Sequence, residues 1–213
     1  MGYSVDGVRE RMGDRALAAL GRAETVPARR ATTGGDPLDT LIRLFLLQLP
    51  VPERAAAAAL PLEEALAVGL VARSAGEVRA LLDLRPYAEP GGPDWWVVSD
   101  LGTGLDGVHR PLPAEHVLGV GGASTTLAQW TVRDPVRRTL DLGTGCGVQA
   151  LHAARHSDHV VATDVSARAL RCAALTAELS GVDVELREGD LLAPVAGDSY
   201  DLVVSNPPFV IGA

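Results

Sequence analysis

Residues 139–151 read Thr139-Leu140-Asp141-Leu142-Gly143-Thr144-Gly145-Cys146-Gly147-Val148-Gln149-Ala150-Leu151. A short apolar strand runs into glycines at alternate positions, and a helix-forming stretch follows. Glycine adopts backbone conformations closed to other residues and leaves room above the chain, so this pattern suits a tight strand-to-helix turn with a ligand lying over backbone N–H groups. Alone, such a loop marks only a possible nucleotide site.

Working outward, the same strand–helix alternation continues. Residues 139–142, 159–163, 182–187 and 200–205 suit strands, and 148–155 and 167–179 suit helices. Alternation of this kind predicts a parallel sheet with right-handed crossovers, an α/β fold. Asp164 follows Gly143 by 21 residues, at the end of the second strand, where a carboxylate can accept hydrogen bonds from ribose hydroxyls. Asp190, in Glu188-Gly189-Asp190-Leu191, follows the third strand and could meet an adenine amino group. Each of these acids could instead cap the next helix, and for Asp164, which precedes Val165-Ser166-Ala167, both readings can hold.

The fourth strand ends in Asn206-Pro207-Pro208-Phe209. This strand is expected beside the first, at the crevice where strand order reverses, which places Asn206 next to the glycine loop. The Asn206 side-chain oxygen and the Pro207 carbonyl are acceptors for the N–H groups of a flat amine. Prolines 207 and 208 fix φ and hold those acceptors in place. Phe209 offers a stacking platform, worth roughly 1–3 kcal/mol for a nucleobase. An amine conjugated to a ring or carbonyl is a poor nucleophile. Two acceptors help localise its lone pair and stabilise the charge that develops during attack.

From His116 to Phe209 the chain resembles the amino-methylating branch of the Rossmann-like, S-adenosylmethionine-dependent methyltransferases. The glycine loop, both acids and the Asn-Pro-Pro-Phe tetrad match in order and spacing. The resemblance implies S-adenosylmethionine as cofactor, lying across Gly143, Thr144, Gly145 and Gly147. It implies Asp164 with Val165 on the ribose side and Asp190 with Leu191 near the adenine. Asp141 would fix the loop and the methionine end, and Asn206 would adjoin both donor and substrate. Asn206, Pro207, Pro208 and Phe209 would be the catalytic set. The segment Gly119-Val120-Gly121-Gly122-Ala123-Ser124-Thr125-Thr126 would sit where related enzymes cover the donor. The resembled sheet has seven strands, of which four are expected here. The fourth strand would then be a bare edge, so the sequence is expected to be a fragment whose C-terminal half lies in a longer protein or a separate chain.

The N-terminal half has another character. Residues 5–20 suit a helix with Val5, Val8, Met12, Ala16 and Leu20 near one face, and 25–35 suit a linker. Asp36-Pro37 starts a second helix carrying Leu38, Leu41, Ile42, Phe45, Leu46 and Leu49. Further helices are expected over 53–60 and 61–68, then strands over 70–73, 78–84 and 95–99. Three helices followed by a hairpin is the order of a winged helix. The expected organisation is an N-terminal helix and linker (1–35), a small α+β winged-helix-like domain (36–101), a linker (102–115) and the first part of a methyltransferase domain (116–213).

Residues 36–115 hold six arginines and twelve acidic residues, a net charge of −6. A DNA-reading face needs basic residues for phosphate contacts, so a structural or substrate-orienting role is expected of this region. The whole chain carries −8 over 213 residues, with no lysine, and its 47% hydrophobic content is ample for a core. Cys146 and Cys172 have no metal-type spacing, and a cytoplasmic setting is expected. No apolar run reaches the roughly 18 residues of a membrane span. His152 and His156 are four apart on a helix but lack a third ligand in sequence.

The leading expectation is N-methylation of a base in RNA or DNA, at adenine N6 or guanine N2. The alternative is a glutamine amide of a protein such as a translation release factor, which the acidic first domain favours. A non-catalytic binding fragment and a nicotinamide-dependent oxidoreductase are the rivals from other classes. The oxidoreductase reading gives residues 206–209 no use.

Overall fold

The structure, a computed structural model, describes residues 2–89, 91–102, 105, 112–113 and 115–207. The chain divides into two compact units, Met1–Trp96 with Asp100–His116 and Val97–Ser99 with Val117–Ala213.

In the first unit, α1 (Val5–Leu20) starts at Ser4, whose hydroxyl accepts from the Gly7 N–H, and kinks at Gly13, where φ is 71°. Val8, Met12 and Ala16 are buried as their spacing predicts. Residues expected within a linker instead form α2 (Val26–Ala31), because Pro27 opens a helical turn and Ala28 is buried. The carboxylate of Asp36 accepts from the Asp39 N–H to start α3 (Pro37–Leu41), which widens into a π turn at Ile42–Leu46. Arg11 pairs with both Asp36 and the buried Asp39, tying α1 to the start of α3.

Strand β1 (Val51–Pro52), α4 (Glu53–Ala59), α5 (Leu62–Ala67), β2 (Val71–Ser74) and β3 (Glu77–Ala80) follow, and an antiparallel sheet forms in the order β1-β3-β2. The expected single strand over 78–84 is in fact two. Val78 pairs with Arg73 in β3, whereas β4 (Leu82–Ala88) pairs with β5 (Asp94–Asp100), with the exposed Leu81 between them. Both halves read alike in sequence, and only the choice of partner strand separates them. Trp95 is core, and the Trp96 indole N–H donates to the Tyr3 carbonyl at 2.8 Å.

The second unit contains α6 (Gly122–Trp130), β6 (Val136–Leu142), α7 (Val148–Ala153), β7 (Ser157–Asp164), α8 (Ala167–Ser180), β8 (Glu185–Glu188), a 3-10 turn at Ala193–Val195 and β9 (Leu202–Ser205). Its four strands are all parallel, in the order β8-β7-β6-β9. This is the arrangement that the alternation predicts, with the first strand of the motif central. Leu140, Val161 and Val195 cluster in the core, and Ala150, Ala153, Val160 and Ala162 form a second cluster. Helix α8 is set by local chemistry, with the Ser166 hydroxyl accepting from the Ala169 N–H and Gly181 taking the left-handed cap at φ 66°. Among the described residues β9 is an edge strand, and its Val203 is exposed. No helix among the described residues is long and apolar enough to cross a membrane.

Candidate active site

Three strand ends stop side by side. Leu142 pairs with Thr163 of β7 on one side and with Ser205 of β9 on the other. The next residues in the three chains are Gly143, Asp164 and Asn206, so the register alone sets them in a row along one rim of the sheet. The spatial expectation for Asn206 and the glycine loop therefore holds.

The loop is a left-handed turn at alternate residues, with φ of 73° at Gly143, 58° at Gly145 and 84° at Gly147. The N–H groups of Gly143 and Thr144 both donate to the Thr163 carbonyl at 2.9 Å, and the Gly147 N–H donates to the Thr144 carbonyl at 3.0 Å. The Gly145 N–H donates to Asp164 Oδ2 at 2.9 Å. Sequence reasoning held these glycine N–H groups ready for a ligand. In the folded protein all three are engaged internally, so the glycines serve the site by shape rather than by donation.

That shape is specific. A Cβ placed on Gly143 or Gly145 would enter open space, so both positions form a side-chain-free floor. At Gly147 a Cβ would lie 3.1 Å from Ala173 Cα, so this glycine lets α7 pack on α8.

Asp164 is held on both oxygens. Oδ1 accepts from the Ser166 N–H at 2.9 Å, and Oδ2 takes the Gly145 N–H. Each oxygen keeps a further acceptor position, since an ionised carboxylate has about four. Asp164 thus fixes the loop and remains half-buried. Asp141 lies beneath the loop and is 1% exposed. Its Oδ2 accepts from the Thr144 hydroxyl at 2.6 Å, while Oδ1 is buried with no hydrogen-bond partner. Burial pushes its carboxyl up to about 6, against the opposing Thr144 hydrogen bond. Burial likewise raises the Cys146 thiol to about 11, which removes it as a nucleophile at neutral pH.

Beyond β8, Asp190 is exposed, as are Leu191 at 69% and Val165 at 70%. Asn206 is half-buried, and its Nδ2 donates to the Ser124 hydroxyl at 3.3 Å. Pro207 is exposed; Pro208 and Phe209 lie outside the described residues. Two contributors escaped the sequence reading in their detail. Ser124 belongs to the expected covering segment, yet nothing local singles it out. Gln149 is 4% exposed, and its Nε2 donates to the Ser124 carbonyl at 2.8 Å. A lone polar residue in the apolar run after Gly147 was the available signal.

Residues 1–81 match a domain of unknown function, DUF7059, and residues 119–213 match the methyltransferase small domain. The release factor glutamine methyltransferase of Deinococcus radiodurans is 49% identical over 75 residues, covering 34% of this chain and 27% of that protein. The ribosomal protein uL3 glutamine methyltransferase of Bradyrhizobium diazoefficiens is 41% identical over 99 residues, covering 45% of this chain and 30% of that one. This chain therefore spans under a third of the length of these two curated relatives. Among solved structures, a T. thermophilus 16S rRNA N2 methyltransferase in complex with AdoMet and guanosine aligns with a TM-score of 0.48 at 21% identity, over 78% of this chain and 47% of that one. Over residues 119–213, the stretch that holds the glycine loop, Asp164 and Asn206, the chain is similar to the methyltransferase small domain family.

Proposed function

We propose that the rim formed by Gly143–Gly147, Asp164 and Asn206 binds S-adenosylmethionine and presents a planar amino nitrogen to it for methylation. The observation that carries this reading is the pairing of Leu142 with Ser205, which sets Asn206 beside the glycine floor. The residues fit the cofactor on three counts. The floor at Gly143 and Gly145 is open, Asp164 retains acceptor capacity for ribose hydroxyls, and the buried Asp141 Oδ1 lacks a partner that a nearby ammonium would supply. Val165 and Leu191 are exposed apolar side chains suited to the faces of an adenine, and Asp190 to its amino group.

When bound, S-adenosylmethionine supplies a methyl group already activated by its sulfonium. The chain's own work is alignment and charge stabilisation rather than base catalysis. Asn206 Oδ1 and the Pro207 carbonyl accept the N–H bonds of the target amine, and Phe209 supplies a flat face for it.

For the substrate class, a protein glutamine amide is favoured. The acidic character of residues 36–115 disfavours phosphate contacts, and the relatives at 41–49% identity are named for glutamine methylation. The second reading is a base in RNA or DNA, adenine N6 or guanine N2, favoured by an aromatic residue, Phe209, two positions after Pro207 in the sequence. We read residues 36–101 as a winged-helix-like domain, a reading supported by the three helical segments and the β1-β3-β2 sheet within it, and assign it to substrate orientation. We place the activity in the cytoplasm, where the thiols of Cys146 and Cys172 stay reduced.

The full-length protein incubated with methyl-labelled donor and either total protein or total RNA tests the reading. Label in protein is the expected result. Label in RNA alone, or in total DNA supplied as a third acceptor, selects the second reading, and label in none of the three overturns the methyltransferase assignment.

A further inference from the structure

We infer that Ser124 is a positioning residue that restrains the Asn206 carboxamide at the rim of the sheet, an inference that rests on the function proposed above. A carboxamide is nearly symmetric in shape but opposite in chemistry at its two ends, one accepting and one donating. Methylation of an amine requires the oxygen, not the NH2, toward the target. The Ser124 hydroxyl both donates and accepts, so its part is to limit the swing of the planar group about its last side-chain bond, a torsion with a broad, roughly two-fold preference.

The backbone of Asn206 is already restricted on both sides. Its backbone continues directly from Ser205, which pairs with Leu142, and the Ser205 hydroxyl donates to the Leu142 carbonyl at 2.8 Å. Pro207 restricts the backbone of Asn206 from the other side. What remains is the side chain, and there Nδ2 donates to the Ser124 hydroxyl at 3.3 Å. With the NH2 end engaged, Oδ1 takes the opposite end of the planar group.

Ser124 can serve as that anchor only if it is itself held. It lies in the first turn of α6, and its carbonyl accepts from Nε2 of the buried Gln149, which stands in α7 directly after the glycine loop. The chain Gln149–Ser124–Asn206 thus references the carboxamide to the same helix that the loop opens. Neither Gln149 nor Ser124 need touch the reacting atoms for this to work.

The test uses the full-length protein and its Ser124→Ala and Ser124→Thr variants. S-adenosylmethionine affinity is measured by calorimetry. Initial methyl transfer is measured at saturating labelled donor, with total protein and total RNA from cells lacking the gene as acceptors. The side-chain NH2 resonance of Asn206, assigned by its loss in Asn206→Ala, is recorded for each variant. Loss of one neutral hydrogen bond predicts a roughly 3- to 10-fold lower transfer rate in Ser124→Ala, donor affinity within about twofold of the parent, a shifted Asn206 resonance, and recovery in Ser124→Thr. An unmoved Asn206 resonance, an unchanged rate, or donor affinity falling in step with the rate overturns the inference. If the parent protein labels nothing, the methyltransferase reading fails on its own, and the resonance still decides whether Ser124 holds Asn206.

Discussion

Asp164 and Gly145 stand 19 residues apart in sequence and are joined by a 2.9 Å hydrogen bond from the Gly145 N–H to Asp164 Oδ2. One carboxylate thereby shapes the glycine loop and presents acceptors to whatever lies above it. Replacing Asp164 by Ala leaves the N–H groups of Gly145 and Ser166 without their acceptor. The expected result is a loss of about 1–3 kcal/mol in stability together with at least tenfold weaker S-adenosylmethionine binding. Asp164→Asn, which keeps one acceptor oxygen, should fall between. Chemical denaturation and calorimetry on the same samples check both effects.

Replacing Asn206 by Ala should separate binding from chemistry. The donor floor is untouched, so S-adenosylmethionine affinity should stay within about threefold. The transfer rate should drop by about 10²–10³, the cost typical of removing a preorganised group that stabilises developing charge. Equal losses in both quantities would place Asn206 in the donor site alone.

The loop glycines are predicted to fail in two distinct ways. Gly147→Ala puts a Cβ 3.1 Å from Ala173 Cα at a φ of 84°, so α8 must give by a few tenths of an ångström at that contact. A cost of about 2–4 kcal/mol follows from overpacking plus backbone strain. Gly145→Ala, whose Cβ enters open space, bears only the strain of its φ of 58°, about 1 kcal/mol. It should nonetheless weaken donor binding, because the methyl group occupies the floor. Thermal melts rank the stability losses, and donor titration should rank the two variants' defects differently.

Asp141 makes stability depend on pH in an unusual direction. Its carboxyl titrates at about 6 when folded, above the ordinary 3.8, so the folded state holds the proton more tightly than the unfolded chain. Stability contributed by that proton is present at low pH and is lost as pH rises from about 4 to about 6, on the order of 3 kcal/mol. Asp141→Asn should remove this slope, seen in denaturant midpoints across that window. A cationic ligand group brought near Asp141 Oδ1 would favour the ionised form, so donor binding near pH 6 should release a proton, measurable by calorimetry in buffers of different ionisation enthalpy.

Much of the second unit was legible because its signals are local. Gly143, Gly145 and Gly147 announce left-handed turns by residue type, and strand–helix alternation forces parallel pairing. From that pairing the neighbourhood of Asn206 and Gly143 follows almost without further information. In the first unit, the helix at Val26–Ala31 was hidden among turn-forming residues, since its formation depends on burying Ala28. The split of residues 78–84 between two sheets was invisible for a related reason: alternation predicts a strand but not its partner.

Residue type and spacing were thus enough for the parallel sheet, the glycine turn and the place of Asp164 and Asn206 at its rim, because each follows from backbone preferences and short-range periodicity. The internal use of the glycine N–H groups, the unpaired Asp141 oxygen and the Gln149–Ser124–Asn206 chain emerge only in the folded molecule. Those are questions of which groups meet across distant segments, and hydrogen bonds between such groups depend on tenths of an ångström in packing that no local pattern encodes.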